Sequence, residues 1–308
     1  MGKELSVVIP LLNEEALLAE LVRQVKSHCE TFTEDFEIIL IDDGSIDDTW
    51  MLIEKEGLND PRIQGIQFSR NFGHHYAITA GLDFSVGEWV VVMDGDLQDK
   101  PEMIPKLYRK ALEGYDVVFV SRRNRPEKFY YKLAQKLFYW ALKFLSGINF
   151  DSSEANFSII NRVVVNAFKQ FPENARFYGS TIKWLGFKRT SIPADHGKRF
   201  AGTTSYTIRR RFNLAFDIII AFSNRPLKAA IIFGLAMSVF SVLLTFWILY
   251  IGIIQGFTVS GWASLISTII FSTGVLLIVL GVVGIYLGRI FTEVKSRPLY
   301  IISKRSHY

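Results

Sequence analysis

The sequence predicts an α/β fold, a mostly parallel sheet with helices on both faces, followed by membrane-spanning helices. Three observations carry that expectation. Short apolar runs alternate with stretches of helical apolar spacing through the first half of the chain. Acidic residues recur just past the ends of those runs, at Asp42-Asp43 and again at Asp94. Every acidic residue except Glu293 precedes Arg225, whereas residues 229–288 hold no Asp, Glu, Lys or Arg.

Residues 5–10 form the first apolar run, 14–29 have helical spacing, and 36–41 form a second run that stops at Asp42-Asp43-Gly44-Ser45. A helix is expected over 47–56, a third strand over 63–68, a helix over 76–84, and a fourth strand over 89–93 that stops at Asp94. Pro101-Glu102 opens another helix, because proline at the first helical position gives up an N–H that has no partner there anyway. A strand over 116–120 follows and ends at Ser121-Arg122-Arg123. In a helix over 128–145, Lys128, Lys132, Lys136 and Lys143 share one sector and aromatic and aliphatic residues cover much of the rest. That pattern suits an interfacial helix on anionic lipid. A second amphipathic element over 206–222 carries Arg209-Arg210-Arg211 and is ended by Pro226.

The uncharged stretch is about twice the length one span needs, and Gln255-Gly256 to Gly261 supplies a turn in its middle. Two antiparallel spans are expected over 228–254 and 262–287. Arg225 and Lys228 precede the first, Arg289, Lys295 and Arg297 follow the second, and the connecting loop is uncharged, so both ends are expected on the cytoplasmic side of a cell (inner) membrane. Gly274, Gly281, Gly284 and Gly288 are compatible with close helix packing and with a homo-oligomer, without requiring one. The lone Cys29 excludes an intrachain disulfide, and the start of the chain lacks the basic-then-apolar pattern of a secretory leader. Met1-Gly2 to Ser6 fits the loose myristoylation pattern, a second anchor that two spans make unnecessary. The net charge of +5 raises nucleic acid as a partner, but the basic residues cluster beside apolar segments next to the spans, which suits lipid headgroups instead.

Asp94-Gly95-Asp96 follows an apolar run, which places both carboxylates at the carboxyl edge of the sheet, where open α/β folds bind ligands. A bare Asp-Gly-Asp is a common turn. Two hard oxygen donors one residue apart also suit Mg²⁺ or Mn²⁺, which completes its shell with substrate phosphate and water. Asp42 and Asp43 have the same placement and are candidates to bond a base or ribose, or to cap the next helix. The absence of Gly-x-Gly-x-x-Gly and Gly-Lys-Ser/Thr loops argues against dinucleotide oxidoreductases and P-loop hydrolases. His74-His75 is expected to be structural or polar surface, since neighbouring side chains diverge and no third nitrogen ligand is near in sequence. Tyr178, Trp184 and Phe187 suit a core or a sugar site equally.

Four ordered motifs, 8–14 (Val-Ile-Pro-Leu-Leu-Asn-Glu), 42–49 (Asp-Asp-Gly-Ser-Ile-Asp-Asp-Thr), 69–73 (Ser-Arg-Asn-Phe-Gly) and 94–98 (Asp-Gly-Asp-Leu-Gln), resemble family 2 glycosyltransferases of the GT-A fold. Within that family the chain resembles polyprenyl-phosphate glycosyltransferases, the dolichol-phosphate mannose synthases and bactoprenol glucosyltransferases. The two-span tail with 286–289 and 297–300 resembles the bacterial branch. The resemblance implies a nucleotide-sugar donor, with a UDP-sugar favoured, and a polyprenyl phosphate acceptor. It places Pro10, Leu12, Glu14 and Asp42 around the nucleoside, with Asp43, Arg70, Asp94 and Gly95 also on the donor, and Asp94, Asp96 and Gln98 at the metal. Asp96, Arg122 and Arg199 are implied as the residues that carry the reaction, with Arg122, Lys132 and Arg199 near the acceptor phosphate. Two departures stand out. Tyr131 and Gln135 occupy positions where many relatives hold that phosphate with Arg and Ser, and Asn156-Phe157-Ser158-Ile159 replaces the more usual Asp-Phe-Arg-Leu.

The organisation so implied is a GT-A catalytic domain over 1–205, a juxtamembrane amphipathic helix over 206–227, a two-helix hairpin over 228–288 and a cytoplasmic tail over 289–308. Two rivals are a processive polysaccharide synthase and a nucleotide-sugar-binding membrane scaffold without turnover. The first carries Gln-x-x-Arg-Trp and more spans, neither of which occurs here; the second has no reason to keep Asp42, Asp94, Asp96 and the basic set.

Overall fold

The structure, a computed structural model, describes residues 3–122, 154–171, 173, 177–194, 223, 225–255 and 261–306. Lys132 and Arg199, the helices expected over 128–145 and 206–222, the turn at 256–260 and the Met1-Gly2 signal lie outside them. The described residues fall into two compact units: residues up to 122, 154–194 and the tail from Arg297 form one, and residues 223–296 form the other.

In the first unit, strand β1 (Leu5–Leu11), helix α1 (Leu18–Cys29), β2 (Phe36–Asp42), α2 (Thr49–Asn59), β3 (Ile63–Phe68), α3 (His74–Phe84) and β4 (Trp89–Val92) follow one another in the expected alternation. The start predicted at Pro101 divides into a single 3₁₀ turn, Pro101–Met103, and α4 (Ile104–Ala111), each with a proline where no helical N–H is needed. β5 (Val117–Arg122), β6 (Glu154–Asn161), α5 (Arg162–Lys169), α6 (Tyr178–Trp184) and β7 (Arg189–Ala194) follow, and β8 (Ile302–Ser306) comes from the far end of the chain.

One eight-stranded sheet has the order β7-β5-β6-β4-β1-β2-β3-β8. β1 pairs in parallel with both β2 and β4, and β3 extends the parallel run, while β6 and β8 are antiparallel to their neighbours. Apart from Ser6, Glu37 and the terminal Asp42, β1, β2 and β4 are apolar throughout because both faces are covered. Val7, Ile9, Ile38 and Leu40 pack under α1, α2 and α4, where Leu18, Leu21, Val22, Val25 and Cys29 form the buried stripe of α1. Val8, Ile39, Ile41, Val90 and Val92 meet α3, α5 and α6 on the opposite face. Each fully buried side chain of this kind stabilises the fold by roughly 1.5–3 kcal/mol. At the amino ends of the strands, the buried Glu37 accepts hydrogen bonds from Ser6 Oγ, Gln64 Nε2 and the Val86 amide, which fixes the turn between α3 and β4.

The second unit contains α7 (Arg225–Gln255) and α8 (Trp262–Val294), which pack against each other. Within them Leu227–Leu244 and Thr268–Val294 are long and apolar enough to cross a membrane. Their large apolar side chains, Ile231, Phe240, Leu277 and Ile278 among them, are exposed. The Tyr286 hydroxyl donates to the Ser223 carbonyl at 2.7 Å. At Gly274, Gly281, Gly284 and Gly288 an added Cβ would meet no described atom within 4 Å, so no described residue of α7 packs on these glycines.

Candidate active site

The carboxyl ends of β1, β2 and β4 lie side by side, with Leu11 opposite Asp42 and Val8 opposite Val92. The loops leaving β1 and β2 are bonded to each other. Asn13, in the left-handed region at φ 56°, donates its amide to Ser45 Oγ, and its own Oδ1 accepts from the Ile46 amide, both at 2.9 Å. The Glu14 amide donates to Thr49 Oγ1, and the Asp48 amide to Glu15 Oε2, each at 3.0 Å. Leu12 stands beside this seam, 42% exposed, after the buried end of β1.

Asp42 and Asp43 have different surroundings. Asp42, fully buried, accepts from the Ser45 amide at 2.8 Å and from Gln67 Nε2 at 3.0 Å. Asp43 accepts from the amides of Phe72 at 2.7 Å and Gly73 at 2.9 Å, so it holds the 69–73 loop against the end of β2. Burial raises the Asp43 pKa despite those amides. Gly44 turns the chain between the two loops at φ 74°, and a Cβ there would fall 2.5 Å from the Arg70 carbonyl carbon. The Arg70 guanidinium lies 4.1 Å from the Phe72 ring centre and donates to the Asn71 carbonyl at 3.1 Å.

Asp94, Gly95 and Asp96 leave β4 at the same edge. The Asp94 amide donates to Asp99 Oδ2 at 3.2 Å, and Asp96 Oδ1 accepts from the Gln98 amide at 3.0 Å, which closes a turn with Leu97 at φ 57°. Gly95 is there for space: a Cβ would be 2.4 Å from Leu11 Cδ2. Asp94, Asp96 and Gln98 are half-buried and Asp99 is buried. His74, the first residue of α3, places Nε2 3.2 Å from Asp94 Oδ1, and Asn156 Nδ2 lies 3.4 Å from the same nitrogen. Burial lowers the pKa of His74, but the hydrogen bond to Asp94 and the charges of Asp94, Asp43 and Asp99 outweigh it and leave it raised. His75 turns the other way, toward Phe177; burial pushes it down to about 4, and among the described residues its enclosed Nδ1 has no hydrogen-bond partner.

Of the residues expected at the site, Pro10, Leu12, Glu14, Asp42, Asp43, Arg70, Asp94, Gly95, Asp96 and Gln98 thus gather at one sheet edge. Arg122 is the last residue of β5, opposite Ala194 of β7, on a strand running in the same direction. His74 is the residue that sequence reasoning missed. Its signal was the Gly73 turn, φ 116°, which starts α3 two residues earlier than expected and directs the first side chain at Asp94. Tyr178 is core: it is fully buried, with its hydroxyl 2.8 Å from Ser158 Oγ, whereas Trp184 is 63% exposed.

The donor set fits a small divalent cation. Asp94 and Asp96 offer hard oxygens on a half-exposed rim, and among the described residues no group of three His, Cys, Asp or Glu side chains could hold a metal ion, so a cation here would depend on further oxygens from a bound phosphate. Mg²⁺ and Mn²⁺ suit such an open site, shared with phosphate oxygens.

A mostly parallel sheet with acidic loops gathered at its carboxyl edge is the place where open α/β folds bind their ligands. The glycosyl transferase family 2 profile matches residues 6–178, and the chain belongs to that family. It is 38% identical over 300 residues to an uncharacterized glycosyltransferase of Bacillus subtilis (strain 168), YkcC, covering 97% of this chain and 93% of the relative. A second uncharacterized glycosyltransferase, from Synechocystis sp. (strain ATCC 27184 / PCC 6803 / Kazusa), is 38% identical over 304 residues, 98% and 96% of the two chains. Two solved structures share the fold. The mannosyltransferase PcManGT of Pyrobaculum calidifontis, in complex with GDP-Man and Mn²⁺, superposes with TM-score 0.51 at 18% identity over 72% of this chain and 64% of its own. Glucosyl-3-phosphoglycerate synthase of Mycobacterium tuberculosis, in complex with Mn²⁺, UDP and phosphoglyceric acid, does so with TM-score 0.51 at 22% identity over 71% and 77%.

Proposed function

We propose that this family 2 enzyme transfers a hexose-type sugar, with inversion, from a nucleotide-sugar to a polyprenyl (undecaprenyl) phosphate at the cytoplasmic face of the cell membrane, for modification of cell-envelope glycans. The observation that carries the reading is the Asp94-Gly95-Asp96 turn at the carboxyl edge of the sheet, in a chain that also has two helices able to span a bilayer. A UDP-sugar is the favoured donor, glucose or an N-acetylhexosamine.

Pro10, Leu12, Glu14 and Asp42 flank the nucleoside in this reading, and the interlocked loops at Asn13 and Ser45 keep that cleft in one shape before the donor arrives. Asp94 and Asp96, with Gln98, would hold Mg²⁺ or Mn²⁺. Bound there, the ion would supply positive charge to offset the charge that develops on the departing diphosphate. Arg122 and Arg199 are assigned the same task from the protein side, since a cation already in place costs no reorganisation when charge develops. A phosphate monoester is largely dianionic at pH 7, with its second pKa near about 6, so the acceptor needs placing more than deprotonating. Lys132, Arg122 and Arg199 are assigned to place it, and no general base is invoked.

Asp96→Asn tests the reading. Sugar transfer should fall by roughly a hundredfold or more, the scale of losing a group that stabilises transition-state charge, while membrane insertion is unchanged. Transfer at the wild-type rate would remove Asp96 from the mechanism.

A further inference from the structure

The chain leaves α8 at Val294 and re-enters the first unit at Arg297, with only Lys295 and Ser296 between. It then runs along the outer edge of β3. Gly65 faces Ser306, Ile66 faces Arg305 and Gln67 faces Lys304, and a register shift brings Ile302 opposite Phe68. The Gly65 amide donates to Ser306 Oγ at 2.7 Å, and the Ser69 amide donates to the Ile301 carbonyl at 2.9 Å. β8 therefore satisfies an edge that would otherwise present unpaired backbone groups, and its pairing extends into the first residue of the 69–73 loop.

Side chains extend the contact. The Tyr300 ring stacks on Phe68 with centres 5.0 Å apart and planes 12° from parallel, and its hydroxyl donates to Asp83 Oδ2 of α3 at 2.9 Å. Phe68 in turn meets Phe72 edge-on at 5.7 Å. Phe72 and Gly73 are the residues whose amides grip Asp43, and His74, beside Asp94, follows directly. Arg305 adds a contact of its own, its guanidinium 3.6 Å from the Phe84 ring centre at the end of α3. The carboxyl end of α3 and the first residue of the 69–73 loop are thus contacted directly by a segment more than two hundred positions later in sequence, and Phe72 is reached from it through Phe68.

We propose that Tyr300 is a positioning residue for the donor edge: through Phe68 and Phe72, and together with β8, it holds the 69–73 loop in the form that binds Asp43 and sets His74 beside Asp94. Any effect on donor affinity rests on the glycosyl-transfer reading above; the effect on the loop does not. The segment that leaves the second apolar helix is therefore the segment that orders this loop.

Hydrogen exchange on the full chain in detergent tests the proposal in wild type, Tyr300→Ala and Tyr300→Phe. Tyr300→Ala should speed exchange across residues 69–73 by roughly tenfold, the scale an aromatic pair carries, while β1 and β4 stay protected. Tyr300→Phe keeps the ring and should restore most of the protection. Should Tyr300→Ala fail to fold, Tyr300→Leu, which keeps bulk without the stack, reads the same quantity. Unchanged exchange over 69–73, or acceleration spread equally over β1 and β4, overturns the proposal. Steady-state kinetics with UDP-glucose then read the consequence: KM for the donor rises in Tyr300→Ala with kcat held, whereas a fall in kcat at constant KM contradicts a donor-positioning role. A wild-type chain that turns over no nucleotide-sugar counts against the proposed reaction and leaves the exchange result standing.

Discussion

Cys29 and His75 show how burial can dominate the chemistry of a side chain. Cys29, the last residue of α1, is fully buried, and burial pushes its thiol up to about 12, so almost no thiolate forms at neutral pH. The native protein should resist a maleimide at pH 7.5 and react at one site once unfolded; rapid labelling of the folded chain would contradict that packing. His75 is held neutral down to about 4, whereas an unfolded histidine takes up its proton near about 6.5. Between those values the unfolded state binds more protons than the folded one, so stability must fall as pH falls through that window. The loss is on the order of 3 kcal/mol at its lower end, from the depression to about 4. His75→Phe removes the titrating ring while keeping an aromatic in the site, and should flatten the drop in Tm between pH 7 and pH 5. An equally steep drop in the variant would place the acid sensitivity elsewhere. The two histidines also mark where sequence reading stopped. Nothing in an adjacent His pair says that one faces Asp94 and the other the core until the Gly73 turn fixes where α3 begins.

At the scale of the element, the strands that end in acidic residues were legible because an apolar run that stops at Asp has few other folds open to it. The 63–68 strand was placed to the residue, and α1 differed only in its first turn, where Glu14 is drawn into the seam with Thr49. β8 was not legible. Ile302-Ser303-Lys304-Arg305-Ser306 has no apolar pattern of its own and becomes a strand because the edge of β3 offers it partners. The Asp94-Gly95-Asp96 turn has no room for one more atom at Gly95 unless Leu11 gives way. Gly95→Ala should cost about 1–3 kcal/mol by overpacking against Leu11, seen as a lower Tm, and should weaken transfer because the turn must lift from β1. A variant with unchanged Tm and unchanged transfer would mean that the turn yields freely.

For the whole molecule, the division into a catalytic unit and an apolar hairpin was written in the distribution of charge, whereas the return of the tail to the sheet was not. The proposed topology puts both flanks of the hairpin in the cytoplasm and its uncharged turn outside. With Cys29 inert, single-cysteine labelling can test it in inside-out vesicles. Ser303→Cys should label with an impermeant reagent and Ser260→Cys should not; the opposite pattern reverses the orientation. The proposed reaction brings a soluble donor at Asp94 and Asp96 to an acceptor that stays in the membrane. Its most direct measurement presents the purified full chain with undecaprenyl phosphate and labelled UDP-, GDP- and dTDP-sugars in the presence of Mn²⁺ or Mg²⁺. The account predicts a labelled lipid-phosphate sugar from one donor, a UDP-sugar, lost on chelation and lost in Asp96→Asn. Label that appears on a water-soluble acceptor or a growing polymer, and never on the lipid phosphate, would contradict it.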